Sequence, residues 1–377
     1  MDNLTAKKRP PLRDFAPARC ALASLALFTA LGIQLLRGSE GAMLWIYSHI
    51  SRPYHLFMGR LCSHVDFSVA EAFYAVLILG ALAYLAVSAY RLVRCAGRLL
   101  QLWRTAATLA MLAAMFWAGL CLLWTPYYYA PGFSEQSGVD DGPVEVSELE
   151  AVTRYFAALA NEYAEEVPRG ADGLCDYSRE GIVDRSAEVF AGAAAAFPCL
   201  EGEALEPKGI HFSRIMSYLD FTGFFFPFTG EANLNMDSPA LLLPSTSQHE
   251  IAHQRGVAAE QECNFVAIFS CLISDYTDYR YAGAALGYIY LGNALHGADY
   301  GAWEEVYRSL SDTVRGDFSA NNAYWDQFED SVVQEASNSV YDSFLKSNGQ
   351  ELGRQSYGKC VDLLVHYYLD EALEALG

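Results

Sequence analysis

The 377-residue sequence predicts three transmembrane helices at its N-terminus, followed by a mainly helical α+β domain whose small sheet comes just before a histidine-bearing helix. Three observations carry this expectation. Long apolar runs, almost free of charge, occupy the first third. Charge is divided unevenly: residues 1–124 hold 12 Lys/Arg against 5 Asp/Glu, about +7, and the remainder holds 13 against 40, about −27. Beyond Pro244 the apolar residues recur at helical spacing almost to the C-terminus, after a stretch of aromatic and β-branched residues broken by Gly and Pro. At 53% hydrophobic and 14% aromatic, the composition is that of a folded chain. A domain this acidic repels nucleic acid, so no polynucleotide partner is expected.

The first apolar run, residues 20–36 (CALASLALFTALGIQLL), has no charge and sits at the short end of the about 17 to 25 residues that cross a bilayer. The second, residues 67–90, carries only Glu71, close enough to one end to reach the interface. The third, residues 105–124, is uncharged and leads into Trp124, Tyr127, Tyr128 and Tyr129, as an interfacial aromatic belt would. Basic residues set the expected orientation. Lys7, Lys8, Arg9, Arg13 and Arg19 precede the first span, and Arg91, Arg94, Arg98 and Arg104 surround the loop between the second and third. Both segments are expected in the cytoplasm, giving a multi-pass cell-membrane protein in contact with lipid, its N-terminus cytoplasmic and everything after Trp124 extracytoplasmic.

Residues 125–146, rich in Pro, Gly, Ser and Asp, read as a linker lifting the outer domain, residues 147–377, off the membrane. Ser147 with Glu150 forms a candidate capping box for a helix reaching about Val167. A second helix is expected over residues 184–197. Residues 210–235, containing FTGFFFPFTGEANLN, read as short strands and turns. Further helices are expected over 245–255, 257–274, 283–295, 303–314, 322–345 and 358–376. Of the nine cysteines, Cys20, Cys95 and Cys121 lie in or beside spans as small apolar packers. Cys175 and Cys199 flank the second helix and are candidates to pair in an oxidising compartment. The sequence has no CxxC, so a cysteine zinc site is not expected.

The chemistry concentrates in QHEIAHQRGVAAEQECNF, residues 248–265. Residues four apart on a helix lie about 40° apart around its axis, so His249 and His253 project side by side and can share one Zn2+ ion. Glu250 sits beside the first histidine, within reach of a water that the zinc activates, and is the candidate general base. Gly256 permits a sharp turn that sends a second helix back across the metal. On that helix Glu260 and Glu262 stand about 200° apart, so one of them faces inward. Glu260 shares its face with Asn264 and is the preferred third ligand, Asn264 orienting the ligands from behind; Glu262 remains the alternative.

HExxH with a glutamate four residues before an Asn resembles the gluzincin class of zinc metallopeptidases. Glu260-Gln-Glu-Cys-Asn264 looks like the ExxxN/D element of intracellular peptidases that cut phage repressors. The runs PFTGEANLN, HEIAHQRG and EQECNF, together with three leading spans, resemble an uncharacterised family of bacterial membrane proteins classed as a domain of unknown function. That family usually has EANF where this chain has Glu262-Cys263-Asn264-Phe265. The resemblance covers most of the chain and implies a zincin-like, extracytoplasmic domain acting on a peptide or protein substrate. In zinc peptidases of this kind an edge strand ahead of the histidine helix binds extended substrate. Residues 231–235 (EANLN) are placed to be that strand or a structural turn; as a strand they would bring Glu231 and Asn233 to the substrate. A donor for transition-state charge is expected among Arg280, Tyr281, His296 and Tyr357, with Tyr281 preferred. The sequence thus points to a membrane-anchored zinc metallopeptidase. The alternative is a non-catalytic zinc-binding scaffold or signalling protein of the envelope.

Overall fold

A computed structural model describes residues 15–94, 97–329, 332–348 and 358–377. Lys7, Lys8, Arg9, Arg13, Cys95 and Tyr357 lie outside the described residues. The first part contains α1 (Pro17–Leu36), α2 (Glu40–Ile46), α3 (Arg52–Cys62), α4 (Val69–Arg94) and α5 (Arg98–Leu123). The short helices α6 (Thr125–Tyr129) and α7 (Phe133–Ser137) follow. The rest comprises α8 (Val146–Ala164), α9 (Arg179–Ala196), β1 (Lys208–Gly209), α10 (Ser213–Tyr218), β2 (Gly223–Phe226) and β3 (Glu231–Leu234). It continues through α11 (Leu243–Arg255), α12 (Glu260–Leu272), α13 (Thr277–Ala298), α14 (Tyr300–Ser309), α15 (Asp312–Asp326), α16 (Val332–Ser347) and α17 (Gly358–Leu376).

Helices α1, α4 and α5 are long and apolar enough to cross a membrane. Leu25, Phe28, Leu35, Leu79 and Val93 point outward from them, as lipid contact requires of a multi-pass membrane protein. The ends of α1 and α5 correspond in order: Arg19 donates to Thr108 Oγ1 at 2.7 Å and Gln34 to Cys121 Sγ at 3.3 Å, so the two run parallel. Ala26, Ala30, Ala114 and Ala118 are buried between them, and residues this small let the backbones approach closely. Tyr84 of α4 reaches Thr108 and Phe73 reaches Phe116's neighbour Phe228, so α4 runs antiparallel to both. The sequence reading had no counterpart for α2 and α3, which join through a π-helical turn at Tyr47–Ser51 and leave Trp45, Phe57 and Leu61 exposed.

In the larger, acidic part, α11 and α12 lie at the centre, flanked by α9, α13 and α17, with α8 outside them. Their apolar faces form one core from Phe133 to Ala372. The three-stranded sheet has the order β1-β3-β2, β3 pairing in parallel with β1 and antiparallel with β2. β3 is therefore the central strand and all four of its residues are buried, contrary to the expectation of a substrate-binding edge. What displaces it from the edge is β1, a two-residue strand too short to read in a sequence. Lys208 in β1 donates to the carbonyls of Cys62, Val65 and Phe67 and pairs with Glu231, which fastens it to the α3–α4 loop.

Two other expectations change. The segment read as a spacer is folded into the molecule: Tyr127 and Phe133 are buried, and Phe133 packs on Phe197 and Phe265 of the main core. The capping box of α8 uses Glu145 and Glu148, two residues before the expected pair; Glu150 instead pairs with Arg154 one turn on. Cys175 and Cys199 are both free thiols.

Candidate metal centre

Pro244 occupies the first turn of α11, where its missing N–H costs nothing, and Gly256 ends the helix in the left-handed region at φ 112°. That turn brings the Val257 carbonyl back onto His253, whose Nδ1 lies 2.8 Å from it. α12 then returns across α11, its first residue Glu260 facing the histidines. His249 Nδ1 lies 2.8 Å from Asn264 Oδ1, one turn along α12. Both imidazoles thus give their Nδ1–H to an oxygen acceptor. Neutral rings fixed in this way carry lone pairs on Nε2, and these face each other at 3.1 Å.

Glu260 adds a third electron-rich group at the same point. Its Oε2 is 3.1 Å from His249 Nε2 and its Oε1 is 3.7 Å from His253 Nε2. Three lone-pair donors converging on one point need a positive charge between them. A tetrahedral zinc with ligands at about 2.0–2.1 Å sets those ligands about 3.3 Å apart, so the donor set fits one such ion. Without an ion, protons fill the same role. Burial opposes charge on His253, but Cys263 and Glu260 outweigh it and its pKa lies well above the ordinary value. Burial likewise opposes charge on Glu260, and His253 and His249 outweigh it, holding its carboxyl well below the carboxylate range.

Glu250 is buried beside this cluster. Among the described residues its Oε2 has no hydrogen-bond partner, and its Oε1 stands against the backbone of β2, where a Cβ on Gly223 would come within 2.6 Å of it. Burial pushes its carboxyl up to about 7, reinforced by Glu260 and opposed by His249 and His253.

His249, His253 and Cys263 also form a group whose donor atoms lie within 4.8 Å of one another and can hold a metal ion. Cys263, however, lies 3.3 Å from His253 Nδ1, the nitrogen turned away from His249. Burial pushes its thiol up to about 12.

The other candidates are engaged elsewhere. Glu262 turns away from the histidines and accepts the N–H groups of Phe133 and Ser134, capping α7. Tyr281 donates to Asp317 Oδ2 at 2.6 Å, in a buried group with Arg169. Arg280 donates to the Ser274 carbonyl, and His296 packs edge-on to Trp303. Glu231 accepts the N–H groups of Val69 and Ala70 at the start of α4, and Asn233 accepts from Ser68 Oγ, so neither side chain is offered to a substrate. In their place the structure supplies groups that no motif announced. Tyr341 of α16, 81 residues beyond Glu260, donates to its Oε1 at 2.7 Å. Trp124, at the end of α5, packs edge-on to His253 with ring centroids 5.7 Å apart. Only Cys263 and Gly223 lay close enough in sequence to draw notice, and the signal in each, a Cys for Ala and a Gly before three Phe, is weak.

A family model described as a protein of unknown function (DUF3810) matches residues 45–365, which include α4, α5 and the whole of this centre. No curated protein and no solved structure matches the chain.

Proposed function

The chain belongs to the DUF3810 family of proteins of unknown function, and from that premise we propose that it is a membrane-anchored, zinc-dependent metallopeptidase with a gluzincin-like site. One observation carries the reading: His249 Nε2, His253 Nε2 and the Glu260 carboxylate converge with both Nδ1 atoms already committed, beside a buried Glu250. His249, His253 and Glu260 hold the ion, Asn264 orients His249, and Tyr341 orients Glu260. When bound, zinc supplies Lewis acidity, which makes water a stronger acid and a peptide carbonyl a better electrophile. Glu250 takes a proton from the attacking water as the oxygen bonds to the carbonyl carbon, and delivers it to the amine nitrogen as the C–N bond breaks.

The excess of basic residues before α1 and around the α4–α5 turn supports a cytoplasmic N-terminus and an extracytoplasmic metal centre. The acidic surface argues against nucleic acid and leaves peptide and lipid as partners. The peptidase unit is assigned to residues 147–377 together with the short helices that precede them.

Cys263 favours one alternative, a closed and non-catalytic site in an envelope scaffold or signalling protein, with the thiol as a ligand. Metal content separates the two. The full chain is purified in detergent, saturated with zinc, freed of excess and analysed alongside its variants. His253→Ala and Glu260→Ala are expected to lose stoichiometric zinc, and Glu262→Gln and Cys263→Ala to retain it. Glu250→Gln is expected to retain zinc and lose hydrolysis of a mixed-sequence peptide library by about 1,000-fold or more. Zinc retained in Glu260→Ala and lost in Cys263→Ala would establish the scaffold site instead.

A further inference from the structure

We infer that this centre acts on the juxtamembrane segment of a membrane-anchored polypeptide, an inference that rests on the peptidase reading and specifies its substrate. The metal centre stands at the level where the spans end. Trp124 directly follows α5, and its ring meets both His253 and Phe225 of β2, at 5.7 and 5.1 Å between centroids. Tryptophan at a span end sits in the headgroup region. The β2–β3 turn descends among the spans. Phe228 lies between Phe73 of α4 and Phe116 of α5, at 5.9 and 5.0 Å, and a Cβ on Gly119 would come within 2.4 Å of its ring.

These contacts bound the height of the catalytic carboxylate. Phe116 lies seven residues before Leu123 in α5, about 10 Å below the helix end at 1.5 Å per residue. From Gly223, against Glu250, to Phe228 is five residues, at most about 17 Å of extended chain. Glu250 therefore stands no more than about 7 Å beyond the level at which α5 ends.

The domain cannot rise from that level without breaking hydrogen bonds that join it to the start of α4. Glu231 of β3 caps α4 through Val69 and Ala70, and Glu71 of α4 accepts the N–H groups of His211 and Phe212 at 3.1 and 2.8 Å. Apolar side chains outside the spans also face outward: Trp45, Phe57 and Leu61 on α2 and α3, Ile215 and Tyr218 on α10, and Phe212 just before it. Exposed aromatic and aliphatic groups of this kind lie in a headgroup layer.

The sheet supplies the direction of approach. β2 is an outer strand, and it runs from Gly223 at the metal centre to Phe226, which packs on Phe73 and Tyr74 of α4. A polypeptide adding to the side of β2 away from β3, where Phe224 is the one residue of the strand that is not buried, follows the same line, one end towards the bilayer and one at Glu250. A chain emerging from its own membrane anchor arrives in that orientation, and confinement to the surface raises its effective concentration to about the millimolar range. At about 3.3 Å per residue, the bond presented to Glu250 lies within roughly the first eight residues after the anchor.

The test uses the full chain, loaded with zinc, in liposomes. The probe is a single-span polypeptide followed by a mixed-sequence library of about ten residues, joined directly or through about twenty residues of Gly/Ser, and the same library without an anchor. Mass spectrometry is expected to place the cuts within about eight residues of the anchor, and the spacer or loss of the anchor to reduce cleavage about 10-fold or more. A binding readout accompanies it. Glu250→Gln with Phe224 replaced by the photoreactive p-benzoylphenylalanine is expected to cross-link the directly anchored probe about 10-fold more than the free library. Equal cleavage and cross-linking of anchored and free probes would overturn this inference and leave the peptidase reading standing. No cleavage of any probe by the zinc-loaded chain would overturn the peptidase reading, and this inference with it.

Discussion

Two carboxylates two residues apart on α12 do unrelated work, and the turn of the helix decides which. Glu260 faces the histidines, whereas Glu262, on the far side, accepts two backbone N–H groups at the start of α7. The stretch from His249 to Asn264 was legible as a candidate site because two adjacent helices supply five converging side chains, and helical geometry fixes their mutual facing. Tyr341 and Trp124 were illegible because chain connectivity carries no information about them; only tertiary packing brings them in. Their neighbours supply the first prediction. Asn264→Ala frees His249 Nδ1, and Tyr341→Phe frees Glu260 Oε1. Each is expected to weaken zinc binding by about 10- to 100-fold in competition with a chelating indicator, without abolishing it. Tyr281→Phe, which removes a bond to Asp317 and none to the histidine cluster, is expected to leave zinc affinity unchanged in the same assay.

At the scale of elements, the long apolar helices were visible from composition alone, since about 20 uncharged residues have few alternatives in water. The helices α2 and α3 and the strand β1 were not. The first two are short helices of 7 and 11 residues, and β1 is two residues held by Lys208. Missing β1 misplaced β3 as an edge, and with it the roles of Glu231 and Asn233. The corrected position has a measurable consequence. Glu231→Ala leaves Lys208 buried without its carboxylate and two α4 N–H groups unsatisfied. It is expected to destabilise the chain by about 3–5 kcal/mol, read as a lowered unfolding midpoint in detergent. KM for peptides is expected to stay unchanged in the folded fraction, opposite to the result for a substrate-binding residue. The β2–β3 turn has its own test. Gly119→Ala forces a methyl into the Phe228 ring, and a stability loss of about 1–3 kcal/mol is expected.

At the scale of the whole molecule, the charge asymmetry and the spans pointed to a membrane protein with an acidic part beyond the spans, but composition carries no signal for how closely the two parts interlock. The segment after Trp124 has the Pro, Gly and Ser content of a spacer, yet Tyr127 and Phe133 anchor it in two packed clusters. Membrane helices, sheet and histidine helices therefore form a continuous structure whose candidate metal centre rests on the end of α5. The central claim is that His249, His253 and Glu260 hold zinc there, with Cys263 outside the coordination shell. X-ray absorption at the zinc edge of the purified, zinc-loaded full chain tests this most directly. The account predicts one zinc per chain with nitrogen and oxygen neighbours only, at about 2.0–2.1 Å, and the imidazole scattering of two histidines. A sulfur neighbour at about 2.3 Å, or no stoichiometric zinc, would contradict it.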